Sequence, residues 1–147
     1  MNTNSVELLL ADDDADDCLL FQEALEELSL PANLTVVHDG EELISLLLKT
    51  EKLPSALFLD LNMPRKNGVE CLSEIKANER LKYLLVIIIS TSFNRDIVGL
   101  LYDKGANYYI RKPNDFGKLK KVIYSALSFT VQTELLKPTF EDFVLDY

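Results

Sequence analysis

The 147-residue chain predicts an α/β fold, a doubly wound five-stranded parallel sheet with helices on both faces. Two observations predict it. Short apolar runs alternate five times with segments of helical period, and such alternation implies parallel strands joined by crossover helices. The runs are also rich in Leu, Ile and Val with few polar residues, as strands buried on both faces are.

The first run, Val6 to Ala11, ends in acids. Asp14 to Leu28 follows, with Cys18, Phe21, Leu25 and Leu28 at helical spacing. Asp14 stands at the cap, and Asp16 and Asp17 stand in the first turn, where carboxylates suit the helix dipole. Leu34 to Val37 is the second strand. Asp39-Gly40 punctuates it, and Glu41 to Lys49 forms a helix with Leu43, Leu46 and Leu47 inward. Ala56 to Leu61 is the third strand. Pro64 and Gly68 mark a loop before the helix Val69 to Ala77. Leu85 to Ile89 is the fourth strand, and Asn94 or Arg95 to Lys104 the fourth helix, stopped by Gly105. Tyr108 to Ile110 is the fifth strand. Asn114 to about Phe129 is the fifth helix, with Leu119, Val122, Ile123, Ala126 and Leu127 apolar.

Composition bounds the function. Hydrophobic residues make up 48 %, enough for a substantial core. The longest apolar run, Leu84 to Ile89, is far short of the ~18 residues that cross a bilayer. The polar start, Met1 to Val6, has no signal-peptide character, so a cytoplasmic protein without membrane attachment is expected. A net charge of −9 repels nucleic acid. Cys18 and Cys71 lack metal-ligand spacing and read as buried free thiols. His38, the only histidine, reads as a surface residue. Gly99, inside the fourth helix, is explained either by close packing or by a helix kept mobile.

In open α/β sheets ligands bind beyond the carboxyl ends of the strands. Asp12 and Asp13 follow the first strand and Asp60 the third. Ser90 follows the fourth strand, with Thr91 and Ser92, and Lys112-Pro113 follows the fifth. Three carboxylates, a hydroxyl and an ammonium therefore converge on one edge. Crowded carboxylates raise each other's proton affinity, and a hard divalent cation such as Mg²⁺ relieves this. An ionised Asp60 can then attack phosphorus to give an acyl phosphate.

These segments resemble the response-regulator receiver domain of two-component signalling. Leu-Leu-Leu-Ala-Asp-Asp-Asp (8–14) is similar to its acidic motif, and Leu-Phe-Leu-Asp-Leu-Asn-Met-Pro (57–64) to its phosphoacceptor motif. Ile-Ile-Ser-Thr-Ser (88–92) and Gly-Ala-Asn-Tyr-Tyr-Ile-Arg-Lys-Pro (105–113) are similar to its switch-hydroxyl and lysine-proline segments. The likeness spans about residues 5–129. It implies a flavodoxin-like strand order 2-1-3-4-5 and a signalling switch rather than a turnover enzyme. It implies Asp60 as phosphoacceptor. Asp13 would be a direct Mg²⁺ ligand and Asp12 one acting mainly through water, with the Asn62 backbone carbonyl completing the protein ligands. Lys112 would pair with the acids and then with the phosphoryl group. Ser90 and Tyr109 would be the switch pair, and Lys112-Pro113 a cis peptide. Ser90 stands where many members carry threonine; serine keeps the hydroxyl but loses a methyl group and some rotamer stiffness.

The donor implied is a phosphohistidine of a sensor histidine kinase or a phosphotransfer protein. Without an output domain, signalling would go through binding, so a stand-alone receiver is expected. Three other readings of the same edge are weaker. A phosphatase of the haloacid-dehalogenase type needs a second aspartate two residues after the nucleophile, where Asn62 stands. A degenerate interaction module would not need the intact acids and lysine. Flavin binding lacks a hydroxyl- and glycine-rich loop after the first strand. The remaining segment, 130–147, carries Val131, Leu135, Leu136, Phe140, Phe143, Val144, Leu145 and Tyr147 and is too apolar for a solvated terminus. It is expected to break at Pro138 into a continuation of the fifth helix and a separate, more extended piece, and the second piece to dock on its own domain or on a second copy, which makes a homodimer possible.

Overall fold

The computed structural model describes residues 6–128 and 138–145. The elements run β1 Val6–Ala11, α1 Ala15–Glu27, β2 Ala32–Val37, α2 Gly40–Lys49, β3 Ala56–Leu59, α3 Gly68–Ala77, β4 Val86–Ser90, α4 Arg95–Asp103, β5 Tyr108–Arg111 and α5 Phe116–Ser128. They close with α6 Phe140–Phe143 and β6 Val144–Leu145. The sheet is parallel, in the order β2-β1-β3-β4-β5-β6. The expected order 2-1-3-4-5 is therefore present, with a sixth strand added beside β5.

Local chemistry explains where the helices begin. The Asp14 side chain accepts from the N–H groups of Asp16 and Asp17 and caps α1. Asp39 caps α2 through Glu42 N–H. Asn67 and Glu70 form a reciprocal capping box on α3. Asp115 accepts from Gly117 N–H at 2.7 Å, which is why α5 starts at Phe116 and not at Asn114.

Each face of the sheet buries its own core. Leu8, Leu10, Phe58, Ile87 and Ile89 pack under α1 and α5 with Phe21, Val122 and Ile123. Phe21 meets Phe58 edge-on at 4.9 Å between centroids. Leu9, Leu57, Leu59, Val86 and Ile88 pack on the other face with Leu43, Leu47, Leu72, Ile75 and Leu101. Neighbouring strand residues thus serve opposite cores, as the period of two requires. Tyr108 and Tyr109 divide in the same way. Both cysteines are free and buried.

Two strands differ from expectation by two residues each, and one peptide bond differs in its isomer. β3 stops at Leu59 rather than Leu61, because the Leu61 carbonyl accepts from Gly68 N–H at 2.9 Å and leaves the ladder. β2 starts two residues early, since Ala32 and Asn33 continue the pairing with Val6 and Glu7. The Lys112-Pro113 bond is trans, not cis. Trans is the lower-energy isomer by ~0.5–1 kcal/mol for X-Pro bonds, and the Lys112 ammonium reaches its acidic partners from it.

Gly99 faces open space, with nothing within 4 Å of where a Cβ would stand. Close packing therefore does not explain it. In the C-terminal segment, β6 pairs with β5 as Tyr109↔Val144 and Ile110↔Leu145. Phe143 is buried against Tyr102 and Tyr109, and the Tyr102 hydroxyl donates to the Pro138 carbonyl at 2.8 Å. The expected continuation of α5 through 129–137 and the terminal Tyr147 lie outside the described residues.

Candidate functional site

Five loops meet at the carboxyl edge of the sheet. Asp60 N–H donates to the Ala11 carbonyl at 2.9 Å and ties the β3 end to β1, and Asp12 N–H donates to the Val37 carbonyl at 3.0 Å and ties the β1 end to β2. Lys112 N–H donates to the Ser90 carbonyl at 2.8 Å and ties the β5 end to β4. Behind Asp60 the chain folds tightly. A Cβ on Gly68 would stand 2.4 Å from the Asp60 carbonyl oxygen, so only glycine lets the start of α3 approach this closely. Arg65, at φ 68°, turns the loop and forms an ion pair with Asp39 at the start of α2.

The predicted acids come together. Oxygens of Asp12, Asp13 and Asp60 all lie within 4.8 Å of one another. Asp12 and Asp60 are buried, and Asp13 is exposed. Asp12 Oδ1 accepts from Asp14 N–H, and Asp60 Oδ1 accepts from Leu61 N–H, both at 2.9 Å. Lys112 Nζ lies 2.9 Å from Asp12 Oδ2, 2.8 Å from Asp17 Oδ2 and 3.8 Å from Asp60 Oδ2. Asp17 was missed as a site residue. Its place in the first turn of α1 reads as a dipole acid, and only the tertiary approach of β5 to α1 turns it toward Lys112.

Electrostatics follow from this crowding. Burial pushes the Asp60 carboxyl up to about 6; Asp12 adds to the rise, while Lys112 and the Leu61 N–H oppose it. Burial works against the Lys112 ammonium, but the hydrogen bonds to Asp17 and Asp12 and the charge of Asp60 outweigh it and raise its pKa. Burial also raises the thiols, Cys18 to about 11 and Cys71 to about 12, which leaves both protonated and unreactive.

Three clustered carboxylate oxygens, two of them on buried side chains, are a donor set for a hard divalent cation. The cluster carries more negative charge than one lysine offsets, so the residues fit such an ion.

Ser90 is fully buried, and its Oγ accepts from Ser92 N–H at 3.1 Å. Tyr109 is also buried, and its hydroxyl donates to the Ser92 carbonyl. Both switch candidates therefore hold the same loop after β4. Phe93 completes it, edge-on to Tyr109 at 6.1 Å. His38 stands on the surface, its ring Nδ1 3.2 Å from the Asp12 carbonyl. No helix among the described residues is long and apolar enough to cross a membrane.

Comparison with known proteins agrees with this geometry. The family described as "Response regulator receiver domain" matches residues 8–124. The chain is 33 % identical over 134 residues to response regulator Rcp1 of Synechocystis sp., covering 88 % of this chain and 91 % of that one. The crystal structure of the phosphorylated cyanobacterial phytochrome response regulator RcpA superposes with a TM-score of 0.81 at 32 % identity, covering 92 % and 99 % of the two chains. The Mn²⁺-bound form of Rcp1 superposes with a TM-score of 0.77 at 32 % identity, covering 91 % and 99 %. With its sheet order, its acidic edge and these matches, the chain belongs to the response regulator receiver domains, signalling modules that work with histidine kinases.

Proposed function

We propose that Asp60 is the phosphoacceptor of this receiver and that Mg²⁺ is its working ion. The observation that carries the reading is the position of Asp60: a buried carboxylate at the end of β3, among two further acids, with one ammonium within 3.8 Å. Leu61 N–H occupies Oδ1, so Oδ2, the oxygen toward Lys112, is the nucleophile. Its attack on the phosphorus of a phosphohistidine forms the P–O bond and breaks the P–N bond, and the departing imidazole takes up a proton. Lys112 then meets the phosphoryl charge. Ser90 donates its hydroxyl to a phosphoryl oxygen, and Tyr109 follows as the loop they share rearranges.

Asp13, Asp60 and the Asn62 carbonyl would hold Mg²⁺, with Asp12 acting mainly through water. The ion, when bound, neutralises charge between the acids and the incoming phosphoryl group. The Mn²⁺-bound form of Rcp1 supports a divalent ion as the partner of the acidic cluster. The phosphorylated state of RcpA supports phosphoryl transfer as its purpose. A narrower reading, a phytochrome-type kinase as donor, is favoured by the name of RcpA. Faster phosphotransfer from such a kinase than from unrelated histidine kinases tests it.

Acetyl phosphate with Mg²⁺ should add one phosphoryl group by intact mass, and Asp60→Asn should abolish the addition, because an amide is no anionic nucleophile. Equal labelling of the variant would falsify the assignment. Repeated turnover of a chromogenic phosphomonoester, lost in Asp60→Asn, would instead mark a phosphatase.

A further inference from the structure

We propose that Asp17 is a positioning residue that competes with the phosphoryl group for Lys112 and so restrains phosphorylation of Asp60. The inference rests on the assignment of Asp60 as phosphoacceptor. An ammonium has three N–H donors. Two of them are engaged at hydrogen-bond distance, by Asp17 at 2.8 Å and Asp12 at 2.9 Å. Asp60, the group that has to receive the phosphoryl charge, stands at 3.8 Å, beyond hydrogen-bond reach. In the unmodified protein Lys112 is thus drawn toward α1 and away from the nucleophile.

Asp17 is not placed there by Lys112. Its backbone N–H is fixed by the Asp14 cap at 3.1 Å. One residue on, Cys18 is buried, with its Sγ donating to the Asp12 carbonyl at 3.4 Å, and Phe21 locks the same helix to Phe58. The backbone that carries the Asp17 carboxylate is therefore fixed independently of Lys112. The two anchors also differ. The Asp12 side chain is 2 % exposed and the Asp17 side chain 37 %. Water can solvate Asp17 when Lys112 leaves it but cannot do so for Asp12. Exchange of Lys112 from Asp17 to a phosphoryl oxygen is accordingly the step available, and Asp17 sets how much that step resists. Asp17 also adds a fourth negative charge facing an anionic phosphodonor.

The test compares initial rates of acetyl phosphate labelling, by intact mass at saturating Mg²⁺, in the full chain and its variants. Asp17→Asn keeps the shape and removes the charge. Asp16→Asn removes the same charge from the neighbouring, exposed position and controls for general electrostatics. Asp17→Asn should label about fivefold faster than Asp16→Asn, the scale of a partly exposed ion pair, and Asp17→Glu should return toward the wild-type rate. In a Lys112→Ala background the gain from Asp17→Asn should vanish, which a merely structural role would not produce. Asp17→Ser serves if the amide perturbs α1 in thermal unfolding. Equal rates for Asp17→Asn and Asp16→Asn, or a gain that persists without Lys112, would overturn the role of Asp17 while leaving that of Asp60 intact. Absence of labelling in the wild type would bring down both.

Discussion

Asp60 is held buried at the end of β3 at a cost to the folded protein. Its side chain is 9 % exposed, and burial is the first cause of its raised pKa. A group whose folded pKa exceeds its unfolded one contributes stability that is complete below the unfolded value. That contribution is lost as pH rises through the folded value. For Asp60 the window runs from 3.8 to about 6, so above pH 6 the ion-free protein carries an ionised buried acid that costs on the order of 2–3 kcal/mol. In EDTA at pH 7.5, Asp60→Asn should therefore unfold at higher temperature than wild type, and the gap should close near pH 4. An equal gap at both pH values would show that burial of this charge is not what strains the site. The residues of the site were legible because each directly follows an apolar run. Asp12, Asp13, Asp60, Ser90 and Lys112 stand at strand ends, where the fold class alone brings them together. Asp17 was not legible, since an acid in a first helical turn has a sufficient local explanation and its partner lies 95 positions away.

Elements were legible to the extent that their signals are local. Caps and stops such as Asp14, Asp39 and Gly105 bound helices through groups within four residues. The end of β3 was not, because the Leu61 carbonyl is drawn off the ladder by Gly68, seven residues on. Gly68 and Gly99, two of the glycines at helical positions, separate the two kinds of constraint. At Gly68 an added methyl meets backbone, the Asp60 carbonyl oxygen at 2.4 Å and Leu61 Cα at 2.8 Å. Neither can rotate aside, so Gly68→Ala should destabilise by about 1–3 kcal/mol and slow labelling at Asp60 by displacing it. At Gly99 the methyl meets nothing within 4 Å. Gly99→Ala should stabilise α4 by up to about 1 kcal/mol. Urea unfolding of the pair checks this. A loss at Gly99, or neutrality at Gly68, would mean that the two environments are misread. If Gly99→Ala also weakens the response of the loop after β4 to phosphorylation, the mobile-helix explanation of this glycine gains its support.

At the scale of the whole molecule, five β/α units leave β5 as an open edge, and an open edge pairs with whatever strand is offered. Here the offered strand is β6, two residues long. Its apolar content was visible in the sequence, but two residues cannot display a period, so the strand itself was not. The contact that secures it is Phe143, fully buried, with Tyr102 and Tyr109 centroids at 5.2 and 6.3 Å. Phe140 covers the outer side of Tyr102 at 5.3 Å. Tyr109 is thereby enclosed from two directions, by Phe143 from the terminal segment and by Phe93 from the loop that holds Ser90. Phe143→Ala should cost about 3–5 kcal/mol, as loss of a buried aromatic ring does. Truncation after Phe129 should do at least as much harm, because it also bares the β5 edge and the Tyr102 ring. A bared edge next to apolar surface favours pairing between copies, so the truncated protein should show a higher solution mass that rises with concentration. Unfolding temperature measures the first effect and light scattering the second. Hydrogen exchange on the full chain should show the amides of 143–145 protected. If those amides exchange freely, and truncation leaves both unfolding temperature and mass unchanged, the terminal segment does not seal this edge in solution.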